Sequence, residues 1–142
     1  HTWDTVVHAA WRKYPNPLKP EVTGLDVIDR KLGEDGILRS KRILRTEWSI
    51  PRWVSNLIGL QNPSYSYEYS EVRLHDNHMV LKSKNLNCTN FVDIDETLVY
   101  KRHPENDEKT VLQHSAVITM HGVPLLDYCE NLLVNTFNNN AY

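Results

Sequence analysis

The side chains able to do chemistry are scattered along this chain, and few fall at spacings a reaction requires. His1, His8, His75, His78, His103, His114 and His121 are spread among many carboxylates. None of them forms a recognisable metal-ligand or catalytic spacing. A glycine-rich phosphate loop, a nucleophile elbow and an HExxH helix are all missing from the sequence. Asp93 and Asp95 share a strand face, which a solvated surface explains. Cys88 and Cys129 are the only cysteines, too few and too isolated for a disulfide framework or a zinc site. The expectation is a non-enzyme with no metal and no cofactor.

The cations are more informative. Lys13 stands near the C-terminal end of a helical stretch, where it either complements the helix dipole or offers a compact point charge to a phosphate. Arg42 falls within a strand, so it either faces water or turns toward an interior site. Lys82 and Lys84 share one strand face by the period of two. Water is the natural surrounding for that pair, because burying two unpaired ammonium groups is costly. The alternative is that they serve the mouth of a cavity.

The elements that would carry these groups can be read from periodicity. Trp3, Val6, Val7, Ala10 and Trp11 recur at helical spacing. Thr2 is a suitable N-cap, and Asp4 lies in the first turn, where the dipole favours an acid. Pro15 and Pro17 set the limit of that helix, predicted from Trp3 to Tyr14. Strand-like stretches then run from 22 to 31, 37 to 48, 65 to 74, 78 to 86, 91 to 101 and 109 to 120. The run Gly33-Glu34-Asp35-Gly36 is a ready turn, and Asp76-Asn77 is another. Residues 103–108 read as a loop. Leu125, Tyr128, Leu132, Leu133 and Phe137 give a second helical stripe. Helix, six strands, helix describes an antiparallel meander with helices on one side, an α+β fold.

The interval from Pro51 to Leu60 stands outside the meander. It is short and apolar, with prolines at 51 and 63. Either it packs as a buried helical turn, or it forms an exposed flap able to touch a partner or membrane.

The 142 residues suit one domain spanning positions 1–142, and 40% apolar with 24% charged content is ordinary for a globular chain. Sixteen basic against eighteen acidic residues give a formal charge of −2, which offers no electrostatic reason to bind nucleic acid. The apolar runs fall far short of the roughly 20 residues that span a bilayer. The first residue is His1, so a missing start would hide any targeting segment.

Several blocks together resemble the PRELI-like family. Ala9-Ala10-Trp11-Arg12-Lys13-Tyr14-Pro15-Asn16-Pro17 looks like the signature near the start of its members. Leu25-Asp26-Val27-Ile28-Asp29-Arg30 and Leu38-Arg39-Ser40-Lys41-Arg42-Ile43-Leu44 are similar to its second and third strands. Thr46-Glu47-Trp48-Ser49-Ile50-Pro51, with Leu57-Ile58-Gly59 after it, resembles the entry to a lid. Tyr100-Lys101-Arg102-His103-Pro104 and His121-Gly122-Val123-Pro124-Leu125 resemble the later strand ends. Thr46-Glu47-Trp48 and the His103-Pro104 pair look most like the Slowmo branch.

The resemblance implies a helix-grip, START-like fold, in which a curved sheet wraps a C-terminal helix around a lipid cavity. It implies a phospholipid transfer protein of the mitochondrial intermembrane space, partnered by a small twin Cys-x9-Cys helical-hairpin protein. The Slowmo branch points to phosphatidylserine. A phosphatidic acid carrier, or a non-catalytic protein-interaction module, is the alternative. Head-group contacts are expected at Lys13, Arg42, Lys82 and Asn140. Pro51, Trp53, Val54, Leu57 and Ile58 are expected to form the lid and touch the membrane transiently. At Glu21 and Thr46 the family's phosphatidic-acid binders carry His and Lys, and this chain does not. The family's first strand and the end of its last helix are expected to be missing.

Overall fold

The computed structural model describes residues 1–49, 51–59, 61–121, 131, 134 and 135, without the side chains of Val54, Leu57 and Ile58. Helix α1 (Trp3–Trp11) precedes strands β1 (Val22–Leu32) and β2 (Ile37–Thr46). A short helix, α2 (Arg52–Ile58), then leads to β3 (Ser64–Arg73), β4 (His78–Asn85), β5 (Val92–His103) and β6 (Asn106–Met120). The six strands form one curved antiparallel sheet in sequence order. The meander expected from alternating residues and turn signals is what the chain adopts. The second helical stripe, from Leu125 to Phe137, lies almost wholly outside the described residues.

The larger boundary shifts fall in three places. Helix α1 ends at Trp11, with Arg12 as its C-cap. The Arg12 and Lys13 amides still bond back to His8 and Ala10, so the chain leaves the helix before Pro15 can oppose it. Strand β2 stops at Thr46 rather than Trp48. The loop expected over 103–108 shrinks to Pro104 and Glu105, because Asn106 already pairs with His103. Thr2 does occupy the N-cap position of α1, but its hydroxyl meets Thr5 Oγ1 at 2.9 Å instead of capping a backbone amide.

The core lies where α1 crosses one face of the sheet. Trp3 and Val7 pack on Val72, Met79, Leu81 and Tyr100. Register explains the cluster: Val72 faces Met79 across β3 and β4, and Met79 faces Tyr100 across β4 and β5. The Trp3 indole also donates to the Tyr100 carbonyl at 3.1 Å, so its polar edge is satisfied inside the core. Truncating Trp3 to Ala would cost about 3–5 kcal/mol and release α1 from the sheet.

The interval outside the meander is a helical turn with an exposed surface. Pro51 and Arg52 are exposed, and Trp53 is 64% exposed. The segment is pinched at its base, where Trp48 and Asn62 exchange two hydrogen bonds of 3.2 Å. Gly59 caps α2 with a φ of 62°. A Cβ there would come within 2.5 Å of the Phe91 ring and would have to displace it, while the positive φ itself favours glycine.

Candidate functional site

Among the described residues, the face of the sheet beneath α1 does not fill completely. Between them lies a cavity of about 850 Å³, toward the upper end of the range for small-molecule sites, about 300–1,000 Å³. Alternate residues of successive strands line it: Arg42 and Leu44, then Ser66 and Glu68, then Leu81 and Ser83. Ile94, Glu96, Leu98 and Tyr100 continue the wall on β5, followed by Leu112 and His114 on β6. Val6, Ala9 and Ala10 close it from α1, and Lys13, Tyr14 and Glu21 contribute from the chain that follows. The small alanines of α1 leave the space that a larger residue would fill.

A polar belt crosses the middle of this wall. Arg42 faces Glu68, Glu68 faces Ser83, and Ser83 faces Glu96 on four consecutive strands. Because these positions are in register, their side chains emerge side by side on one face. The Glu68 carboxylate accepts from both Nε and Nη2 of Arg42, and both side chains are almost fully buried. Arg42 Nη1 also reaches the Trp11 carbonyl at 3.5 Å, tying β2 to the end of α1. Glu96 accepts from the Ser83 hydroxyl at 3.1 Å and meets His114 Nε2 at 2.7 Å.

Burial sets the electrostatics of this belt. Desolvation raises the pKa of Glu68, with Glu96 adding to the rise, while Arg42 and Lys13 oppose it. The Tyr14 phenol is pushed up to about 12, chiefly by burial and then by Glu96 and Glu68. Tyr14 therefore keeps its proton at any ordinary pH. The Lys13 ammonium lies 5.5 Å from the centre of the Tyr14 ring, within cation–π range.

The expected head-group residues separate into three groups. Lys13 and Arg42 are brought together at the cavity. The water-facing alternative for Arg42 is excluded, since only 5% of the residue is exposed. Lys82 takes the water-facing alternative: it is exposed, and the period of two sends it to the face opposite Leu81 and Ser83, which line the cavity. Lys84, also exposed, borders the cavity near the end of β4. Asn140 lies outside the described residues. Of the expected lid residues, Pro51 and Trp53 are exposed, and the side chains of Val54, Leu57 and Ile58 are outside the description.

Glu68, Ser83, Glu96, His114 and Tyr14 were not singled out from sequence as site residues. One signal was available for Glu96. It shares strand parity with Leu98 and Tyr100, whereas Asp93 and Asp95 fall on the other face. Asp93 there meets His121 Nε2 at 2.8 Å, and Asp95 is exposed.

Comparison with known proteins gives a consistent kinship. Residues 4–142 match the PRELI-like family. The chain is 33% identical over 145 aligned positions to "Protein UPS2, mitochondrial" of Saccharomyces cerevisiae, covering 99% of this chain and 63% of that protein. It is 31% identical over 120 positions to "Protein slowmo homolog" of Dictyostelium discoideum, covering 84% and 52%. With "UPS-like protein C36.10" of Schizosaccharomyces pombe it shares 35% over 118 positions, covering 83% and 64%. The chain thus spans less than two thirds of the length of each of these relatives. It belongs to the PRELI-like family, as the residue blocks implied.

Proposed function

We propose that this PRELI-like chain is a non-catalytic phospholipid carrier that moves phosphatidylserine between the outer and inner mitochondrial membranes. The observation that carries the reading is the cavity under α1, apolar along Leu44, Leu81, Ile94 and Leu98 and cationic at Lys13 and Arg42. Acyl chains suit the first set of residues, and a phosphate suits the second. The word "mitochondrial" in the name of the yeast relative supports the compartment, and the intermembrane space follows from the carrier role. A small twin Cys-x9-Cys helical-hairpin protein is the partner in this reading. The exposed α2 serves as the lid that touches the membrane, with Trp53 entering the headgroup boundary.

The choice of head group rests on charge. Glu21 and Thr46 line the cavity at the positions where the family's phosphatidic-acid binders carry His and Lys. Glu68 and Glu96 add carboxylates to the same wall. A head group with its own ammonium suits those surroundings better than a bare phosphate monoester, which two carboxylates repel.

Transfer of fluorescent phosphatidylserine and phosphatidic acid between liposomes, by the full-length protein with its hairpin partner, tests the proposal. Selective movement of phosphatidylserine, recovered chemically unchanged, is expected. Preference for phosphatidic acid would keep the carrier and overturn the head-group choice. No transfer of either lipid would favour an interaction module.

A further inference from the structure

We propose that the Tyr14 hydroxyl is a fixed hydrogen-bond donor to the anionic oxygens of the bound head group, forming one set with Lys13 and Arg42. The inference rests on the phospholipid reading of the cavity and adds to it a residue that acts without carrying charge.

Three observations converge on Tyr14. It follows α1 directly and lines the cavity beside Lys13 and Arg42. Its side chain is partly buried, and among the described residues its hydroxyl has no hydrogen-bond partner. The groups that act on it are Glu96, Glu68, Tyr100 and Arg42, all on the cavity wall. A phenol set among such groups ordinarily spends its proton on one of them. Here Glu68 is engaged by Arg42, and Glu96 by Ser83 and His114. Among the described residues, nothing takes up the donor at Tyr14.

The chemistry of that donor suits a phosphate. A neutral hydroxyl adds directional bonding without adding charge to the site. Burial, with Glu96 and Glu68 adding to it, keeps it a donor at ordinary pH, so an incoming anion meets O–H and not a phenolate. Lys13 above the ring supplies the charge, and Tyr14 supplies the direction.

The test is Tyr14→Phe in the full-length protein with its partner. This variant keeps the ring and the Lys13 contact and removes one oxygen. Equilibrium capture of phosphatidylserine is compared with capture of diacylglycerol bearing the same acyl chains, which lacks the phosphate. Loss of about tenfold in phosphatidylserine affinity is expected, the size of one hydrogen bond to a charged group, with diacylglycerol unaffected. Equal affinity of variant and wild type for phosphatidylserine would overturn the proposal. So would a parallel loss for diacylglycerol, because that assigns the hydroxyl to cavity shape. Should the phenylalanine variant not fold, 3-fluorotyrosine at position 14 is a stronger donor in the same ring. It is expected to tighten phosphatidylserine capture a few fold, and no change would equally overturn the role. Wild-type protein that captures no phospholipid brings down the carrier reading and this inference together. Wild-type capture with an indifferent Tyr14 brings down this inference alone.

Discussion

Arg39 and Arg42 stand three residues apart on β2, emerge on opposite faces, and both meet carboxylates in very different surroundings. Arg39 grips Asp35 with two bonds of 3.1 and 2.7 Å and lies 3.6 Å from Glu71, with over a third of its side chain exposed. Arg42 grips Glu68 inside the cavity wall, where 6% and 7% of the two side chains are exposed. The outer pair lowers its acid: hydrogen bonds from Arg39 and the Ile37 amide hold the pKa of Asp35 down to about 2. The inner pair does not, because burial raises the pKa of Glu68 even with Arg42 beside it. Water decides the sign. In the open, an arginine wins over a small desolvation cost. In a closed wall, desolvation outweighs the attraction.

The two pairs therefore serve different ends. The outer one fastens the turn between β1 and β2, where the Asp35 carboxylate also accepts from the Ile37 amide. The inner one is a poor means of holding a fold together, since apolar residues of like volume do at least as well. In the carrier reading proposed above, its place is explained by what the cavity takes in.

That contrast can be broken most directly at Arg42. Arg42→Met alone strands Glu68 in the wall and is expected to lower stability by about 3–5 kcal/mol, read from denaturant unfolding. Adding Glu68→Leu should restore most of that loss while phospholipid transfer stays abolished. A double variant that still transfers lipid would show that the pair is not part of the site.

A second difference appears against pH. Glu68 binds its proton more tightly folded than unfolded. Its contribution is thus fully present below the ordinary carboxylate range and is lost as pH rises through the elevated folded value. Asp35 behaves oppositely. Its contribution is present above the ordinary value of 3.8 and is lost as pH falls toward about 2. Melting curves across this range should lose the rising-pH decline in Glu68→Gln and the acid-side decline in Asp35→Asn.

Smaller effects are expected on the exposed side. Trp53 and Leu57 replaced by Ser should slow transfer between liposomes while leaving the melting temperature nearly unchanged, because Trp53 lies largely in water. A large drop in melting temperature with normal transfer would instead assign α2 to the core. Least of all, Arg39→Gln should barely move the melting temperature and leave transfer untouched, as expected of exposed ion pairs.

The same contrast marks what could be read from the residues alone. Strands and turns were legible, because alternation and the Gly33–Gly36 turn are local signals. Lys13 was legible as a cation near a helix end, and the structure places it at the cavity. Arg42 was not resolved by pattern: in Arg39-Ser40-Lys41-Arg42 it looks like one of several surface cations. Its burial depends on Glu68, 26 residues away and brought opposite only by the register of β2 and β3. Lys82 faces water for a local reason, since Leu81 and Ser83 claim the inner face of β4. The polar belt as a whole needs four strands in register, and no single stretch of chain contains it.

The two hydrogen bonds between Trp48 and Asn62 draw the ends of the α2 segment together like the neck of a purse. Whatever the contents, the sheet on either side meets the same closed neck. Length and composition within the segment are thereby uncoupled from the alignment of β2 with β3. Extra residues or a reporter dye placed near Trp53 would ride outside the strand ladder, leaving the cavity wall as it is.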